Sequence, residues 1–351
     1  MPYTDLTIDP SASIHEAMQK LDKSGRRILL ILEGKKLKGV ITDGDIRRWI
    51  LKSGDLKASI EPIYNHNPIS LSPSERHKAK EIMQARVIDA IPLVDREGNV
   101  VDMAFWNELT DGEPLNTPDL KLPVVIMAGG KGTRLYPYTK ILPKPLIPIG
   151  DTPIMEHILN KFHSFGCSDF HLTVNYKKNM IRSYFDDLNP PYDLHYVEEP
   201  QPLGTGGSLA LIGDELKSTF FVSNCDILIN ADYVEMVNHH KESGNMITMV
   251  TSLKHFKIPY GVVHLNESGE IDHLEEKPEL VYLVNTGMYI MEPGVFQHLP
   301  KSTFFHVPDL VESCRSQGQK VGVFPVSENS WMDMGQFEEM NKMLKQMGLE
   351  S

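Results

Sequence analysis

The chain has 351 residues, enough for about two domains at roughly 150 residues each. Hydrophobic residues make up 41% and charged residues 23%, which excludes a mainly disordered chain, and no apolar run reaches the ~18 residues that a membrane span needs. Lys plus Arg number 35 against 47 for Asp plus Glu, a formal charge of −12. So acidic a surface repels a phosphate backbone at long range, which argues against nucleic acid as a partner and leaves room for a basic pocket holding one nucleotide. Membrane is not an expected partner either. The cysteines, Cys167, Cys225 and Cys314, are three in number and far apart, so neither a disulfide framework nor a zinc site fits. With no basic, then apolar, leader in MPYTDLTIDP, a cytoplasmic protein with reduced thiols is expected.

The front of the chain repeats itself. Displaced by 63 positions, Pro10 falls on Pro73, Leu30 on Leu93, Ile31 on Val94, Leu37 on Val100 and Val40 on Met103. Each copy reads as helix, strand, turn, strand. The first has a helix over Ser13–Lys23, then RRILLIL and KGVITD joined by EGKK. The second has a helix over Ser74–Arg86, then AIPLVD and VVDMAFW around REGN. From Asn107 to Pro123 the polar stretch NELTDGEPLNTPDLKLP holds three prolines and no hydrophobic period, and reads as a linker. Domains are therefore expected over residues 1–112 and 122–351, joined by 113–121.

The back part alternates apolar runs with amphipathic segments. The runs are VVIMA, DFHLTV, LHYVEE, TFFVSNCDIL, MITMVTSL, YGVVHL, LVNTGMYIM and KVGVFPV. Helices are predicted over Pro153–Phe165, Asn179–Leu188, Ala231–Ser243 and Gln336–Met347. Such alternation predicts an α/β fold with a parallel or mixed sheet covered on both faces. The Met and aromatic residues around Trp331–Met347 read as core, and the 14 histidines show no metal-ligand spacing.

VVIMA runs straight into Gly129-Gly130-Lys131-Gly132-Thr133-Arg134-Leu135. Glycines let backbone N–H groups turn toward an anion with no Cβ in the way. The turn lacks the Gly-Lys-Ser/Thr ending of a Walker A loop and the third glycine of the dinucleotide fingerprint. Ten residues beyond Arg134, Lys144 lies between Pro143 and Pro145, which predicts a stiff, extended loop. A planar guanidinium and a point-charge ammonium make a pair suited to polyphosphate.

GGKGTRLYPYT followed by LPKPLIPIGDTPIMEHIL resembles the signature of the sugar-1-phosphate nucleotidyltransferases, and further spaced blocks carry the likeness through roughly 122–347. The resemblance implies a Rossmann-like domain with a mixed, mostly parallel sheet. It also implies a reaction between a nucleoside triphosphate and a sugar 1-phosphate. Arg134 and Lys144 would be catalytic. Ala128, Gly129, Gly130, Gly132 and Thr133 would hold the nucleotide with Glu199, Gln201, Gly204 and Thr205, where the Gln201 amide suits a base edge and the Glu199 carboxylate a ring N–H or amine. Asp226 and Asp333 match the aspartates with which the family holds Mg²⁺, a hard ion that favours carboxylate and phosphate oxygens. Cys225 stands where the family usually has glycine. Gly261, Glu276, Lys277, Asn285 and Thr286 match the blocks that hold the sugar phosphate.

Gly39-Val40-Ile41-Thr42-Asp43-Gly44-Asp45-Ile46-Arg47-Arg48 resembles the most recognisable part of a CBS motif, so the front is expected to be a smaller α+β tandem CBS module. The resemblance implies a regulatory nucleotide whose ribose meets Thr42 and Asp45. In the second copy Phe105, Glu108 and Asp102 replace Thr42, Asp45 and Gly39, so at most one competent site is expected, in the first. A CBS pair ahead of the transferase, with PLGTGG, resembles guanylyltransferases of bacterial nonulosonate and glycan pathways that act on glucosamine 1-phosphate or mannose 1-phosphate. It implies GTP, with dTTP and UTP left open, and a homo-oligomer. A catalytically silent nucleotide sensor and a structural assembly subunit are the other classes. The presence of Arg134, Lys144, Asp226, Lys277 and Asp333 argues against the silent sensor.

Overall fold

A computed structural model describes residues 3–110, 119–213, 215–300, 303–335 and 337–347. The chain divides into two compact units, 1–117 and 118–351. Most of the predicted linker, 113–121, lies outside the described residues, which leave out 111–118.

The first unit contains β1 (Thr7–Ile8), α1 (Ile14–Ser24), β2 (Ile28–Glu33), β3 (Lys36–Thr42), α2 (Asp43–Lys52), α3 (Ala79–Arg86), β4 (Ala90–Val94), β5 (Val100–Phe105) and α4 (Trp106–Leu109). β2 pairs antiparallel with β3 and parallel with β1, and β4 pairs antiparallel with β5. Ser13 opens α1 with a capping box to Glu16, and Gly25, at φ 64°, ends it in the left-handed conformation that glycine tolerates. The predicted second-copy helix divides into a 3-10 turn over Pro73–Lys78 and α3. Leu30 and Val40 from the first copy share one core cluster with Val100 and Met103 from the second. Positions related by the repeat thus meet in a single core, since one such four-element copy has too little apolar surface to stand alone.

The second unit contains β6 (Val124–Met127), α5 (Tyr138–Ile141), β7 (Pro148–Ile149), β8 (Thr152–Pro153), α6 (Ile154–His163), β9 (Asp169–Val174), α7 (Lys178–Leu188), β10 (Asp193–Glu198), α8 (Gly204–Gly207), β11 (Phe220–Asn224), β12 (Ile227–Ile229) and α9 (Tyr233–Ser243). It continues with β13 (Ile247–Lys257), β14 (Val262–Leu265), β15 (Ile271–Glu275), β16 (Glu279–Met291), α10 (Val307–Ser316), β17 (Val321–Val326), β18 (Trp331–Asp333) and α11 (Phe337–Gln346). Seven strands form one sheet in the order β10-β9-β6-β11-β16-β13-β17. β10, β9, β6 and β11 run parallel, β16 is antiparallel to both its neighbours, and β17 is parallel to β13. The sheet is mixed and mostly parallel, as the resemblance implied.

Alternation along β6 explains why both faces are covered. Val124 and Ile126 point into a core shared with α6, α7 and α9, while Val125 and Met127 point into another shared with α10. In the first core Phe162 is fully buried, with ring centroids 5.2 Å from Phe221 and 4.9 Å from Tyr233. The apolar run TFFVSNCDIL divides at Cys225–Asp226 into β11, in the main sheet, and β12, paired with β18. β13 and β16 run past the sheet with a register irregularity at Val250/Thr251, and β14 pairs with β15 between them in an exposed hairpin. No helix among the described residues is long and apolar enough to cross a membrane.

Candidate functional site

The site gathers at the carboxyl ends of β6 and β11, where open α/β sheets bind ligands. β6 is fixed by parallel pairing on both sides, and its register continues one step as Ala128 N–H donates to Thr173 O at 2.9 Å. Ala128 is itself buried behind the loop and presents only backbone. Beyond it Gly129 and Gly130 leave the strand. A Cβ on Gly129 would collide with Glu199 Oε1, whereas at Gly130 the space is open for 4 Å. Gly132 has φ 64°, and its Cβ position lies 3.0 Å from Lys144 Cβ and Thr139 Cγ2. Thr139 Oγ1 donates to Gly132 O at 2.8 Å, which holds the loop over α5.

Pro143-Lys144-Pro145 is not the extended loop predicted from its prolines. It closes into a 3-10 turn over Lys144–Leu146, with Leu146 N–H donating to Pro143 O at 2.9 Å. Pro145 needs no N–H at that position, and its fixed φ suits the turn. The turn brings Lys144 Nζ onto Asp226 Oδ2, and both side chains are buried. Burying such a pair is tolerable only while both partners stay.

Asp226 follows the break between β11 and β12, and its carbonyl accepts Met334 N–H at 2.8 Å. Asp333 closes β18 directly opposite Ile227 and accepts Gly335 N–H on Oδ1 at 2.7 Å. Burial holds the Asp333 carboxyl above its ordinary range, and the nearby Asp226 charge adds to the rise. The Gly335 N–H, Lys144 and Arg134 oppose it. Two carboxylates that repel one another, offering only oxygen donors from adjacent strands, fit a hard divalent cation completed by phosphate and water. Cys225 is no part of that chemistry. Burial, then the Asp226 charge, pushes its thiol up to about 12, so it stays an unreactive core thiol.

Two cavities meet here. One, of about 390 Å³, is lined by Gly129, Gly130, Gly132, Thr133, Lys144 and Glu199, together with Gly204 and Thr205. The other, of about 430 Å³, is lined by Asn285, Thr286, Asp309, Trp331 and Asp333. Arg134, Thr205, Asn224, Asp226 and His306 line both, so the cavities are two lobes of one cleft with one cation, Arg134, and one carboxylate, Asp226, at the join. In the first lobe Glu199 Oε2 accepts Leu203 N–H at 3.0 Å, and burial raises its carboxyl above the ordinary value in spite of that bond. In the second, Thr286 Oγ1 is spent on the backbone, donating to Val250 O at 2.7 Å and accepting Met288 N–H at 3.3 Å. Asn285 donates to Tyr289 Oη at 2.6 Å and accepts Gly287 N–H at 2.9 Å.

Five of the sequence-derived residues of the second unit, Ala128, Gln201, Gly261, Glu276 and Lys277, line neither lobe. Gln201 is exposed outside the cleft. Gly261 leads into β14, and Glu276 and Lys277 follow β15, at the base of the exposed hairpin. Lys277 Nζ lies 3.7 Å from Glu276 Oε1, and both side chains stand in solvent. In the first unit Thr42 and Asp45 satisfy each other as the capping box of α2. Asp45 Oδ2 accepts Thr42 N–H at 2.8 Å and Thr42 Oγ1–H at 2.6 Å, and Asp45 Oδ1 meets Arg48 at 2.5 Å. At Phe105, the matching position of the second copy, no side-chain cap forms.

Sequence reasoning missed Asn224, Phe304, His306 and Asp309 in the cleft. The start of α10 was readable, because Pro308 and Asp309 open it and Leu310 and Cys314 are spaced as one helical face. That this end reaches the cleft depends on contacts distant in sequence.

The strand-end glycine loop, the paired cations and the two aspartates define an α/β domain built to handle phosphates. A family model described as Nucleotidyl transferase matches residues 123–348, and the chain belongs to that family. A CBS domain model matches residues 2–52, the first front copy. The chain is 35% identical over 228 residues to the mannose-1-phosphate guanyltransferase of Candida albicans, covering 60% of each. To mannose-1-phosphate guanylyltransferase 1 of Arabidopsis thaliana it is 30% identical over 225 residues, covering 61% of this chain and 62% of the relative. It thus spans about six-tenths of the length of the curated relatives it matches. HddC from Yersinia pseudotuberculosis superposes with a TM-score of 0.51 at 23% identity, covering 64% of this chain and 99% of that one. A putative glucose-1-phosphate thymidylyltransferase from Bacillus anthracis gives 0.50 at 19%, covering 66% and 96%. At those identities the likeness is one of fold.

Proposed function

We propose that the protein joins a sugar 1-phosphate to a nucleoside triphosphate, giving a nucleotide sugar and pyrophosphate. The preferred pair is GTP with glucosamine 1-phosphate or a related hexose 1-phosphate such as mannose 1-phosphate. The observation that carries the reading is the two-lobed cleft with Arg134 and Asp226 in both lobes, because the reaction brings two anions together. Guanylyltransferases among the relatives favour GTP.

A sugar-phosphate oxygen is already anionic and needs no side-chain nucleophile. Rate must come from positioning and from spreading charge as the oxygen attacks the α-phosphorus and pyrophosphate leaves. The open backbone at Gly130 approaches the phosphates. Arg134, exposed at the join, reaches the reacting phosphates from either side, and Lys144 places its ammonium beside them against Asp226. Mg²⁺ held by Asp226 and Asp333 would supply charge neutralisation at the phosphate oxygens. The second lobe offers Asn285 and Asp309 to sugar hydroxyls or an amine. For Lys277 to hold the sugar phosphate, the hairpin beside it must come to the cleft. At the first CBS copy, a regulatory nucleotide would exchange its ribose hydroxyls for the Arg48 contact on Asp45.

The experiment is pyrophosphate release with Mg²⁺, each common nucleoside triphosphate and a panel of sugar 1-phosphates. Release that requires one triphosphate and one sugar phosphate together is expected, fastest with GTP. Release with another base corrects the specificity, and no release from a folded protein that binds nucleotides overturns the reaction.

A further inference from the structure

The glycine-rich turn over 203–207 touches the segment 303–307 backbone to backbone. Phe305 N–H donates to Leu203 O at 2.9 Å, and Gly206 and Gly207 N–H both donate to Phe305 O, at 2.8 and 3.0 Å. Val307 N–H donates to Thr205 Oγ1 at 3.2 Å. The contact is too close for side chains. A Cβ on Gly204 would sit 2.6 Å from Phe305 O, on Gly206 2.8 Å from the His306 carbonyl carbon, and on Gly207 2.5 Å from Thr303 O. These glycines therefore serve the seating of the 303–307 strap.

The strap delivers two rings to the nucleotide lobe. Clamped through Phe305, it sends Phe304 and His306, the residues on either side, to the cleft wall. Phe304 is 59% exposed, although a free phenylalanine gains nothing from water. Its ring meets His306 edge-on, with centroids 4.7 Å apart and planes at 81°. That contact fixes the ring's tilt. Beside glycine, hydroxyl and charge the lobe's lining holds Met127, Pro202 and Cys225, and Phe304 is the large apolar side chain that stands exposed among them.

We propose that Phe304, carried on the strap that the glycine-rich turn holds down, is the stacking platform for the nucleobase. The proposal rests on the reading of this lobe as the nucleoside triphosphate site. Stacking scales with ring overlap, so a purine gains more than a pyrimidine, and a ligand without a base gains nothing.

The test is equilibrium binding of GTP, UTP and inorganic tripolyphosphate to the full chain with Mg²⁺, for wild type, Phe304→Ala and Phe304→Trp. In Phe304→Ala, GTP binding is expected to weaken about ten-fold, the scale of one base–aromatic stack. UTP should weaken less and tripolyphosphate not at all, while Phe304→Trp restores GTP. The exposed position predicts unchanged melting. Unaltered GTP binding in Phe304→Ala overturns the proposal, and so does equal weakening of GTP and tripolyphosphate. Failure of the transfer reaction reads out separately. An inert wild type that binds GTP through Phe304 sinks the transfer reading alone, and an active enzyme indifferent to Phe304 sinks the platform alone.

Discussion

Arg134 and Lys144 carry like charges into one cleft, yet their settings differ, and so should the consequences of losing them. Arg134 is exposed, so Arg134→Ala is expected to cut turnover by orders of magnitude with melting unchanged. Lys144 is buried against Asp226, and removing it strands a buried carboxylate. Lys144→Ala should lose activity and also on the order of 3 kcal/mol of stability. Chemical denaturation with a chelator present checks this, because a bound cation would otherwise replace the ammonium. Equal melting of the two variants would refute the distinction. Glu199 gives the opposite sign. Burial raises its carboxyl above the ordinary 4.5, so the folded state keeps a proton that the unfolded chain releases, and the charged form costs stability as pH rises through that range. Gln keeps an acceptor for Leu203 N–H without the charge. Glu199→Gln should melt above wild type near pH 7, with the gain fading toward about pH 4. A variant that melts below wild type at neutral pH would show that the carboxylate is compensated after all.

Elements were legible where one local signal decided them. The capping box Ser13–Glu16 marks α1, and the apolar period of IMEHILNKFH marks α6. Two features came from tertiary demands. The run TFFVSNCDIL divides into two strands, because Asp226 turns toward Lys144 between them, and β12 then pairs with β18, far along the chain. Gly204, Gly206 and Gly207 receive the 303–307 strap in the fold, and Gly204 also lines the cleft. Nothing near them in sequence announces a partner about a hundred residues away. Gly206→Ala tests this element. Its φ is ordinary, so what opposes the methyl is the close approach to the His306 carbonyl, 2.8 Å, and to Phe305 Cδ1, 3.1 Å. A cost of about 1–3 kcal/mol is expected, as for other overpacked contacts. Gly130→Ala, with nothing within 4 Å, should leave melting unchanged. If both variants melt like wild type, the turn does not need its glycines for packing.

At the scale of the whole molecule, the two-unit organisation was legible because a repeat and a proline-rich polar stretch interrupt the pattern before Pro123. The cleft was legible as a set of motifs. Its outer placement was not, since Glu276 and Lys277 ride on a hairpin whose second strand, Ile271–Glu275, carries no clear alternation. The division into units makes the regulatory role of the front testable. The second unit has its own cores, one on each face of its sheet, and the cleft is lined entirely by its residues. A fragment beginning near Pro118 should therefore fold and keep the basal rate of pyrophosphate release. Adenine nucleotides, added as probes, should change the rate of the full chain and leave the fragment untouched. In the full chain, Asp45→Ala should abolish that response with the basal rate kept. Thr42 is the poorer probe, because its hydroxyl caps α2, and losing an N-cap costs about 1 kcal/mol. A fragment that responds to the nucleotide as the full chain does would move the regulatory site out of the front unit. No response in either would reduce the CBS copies to a structural module.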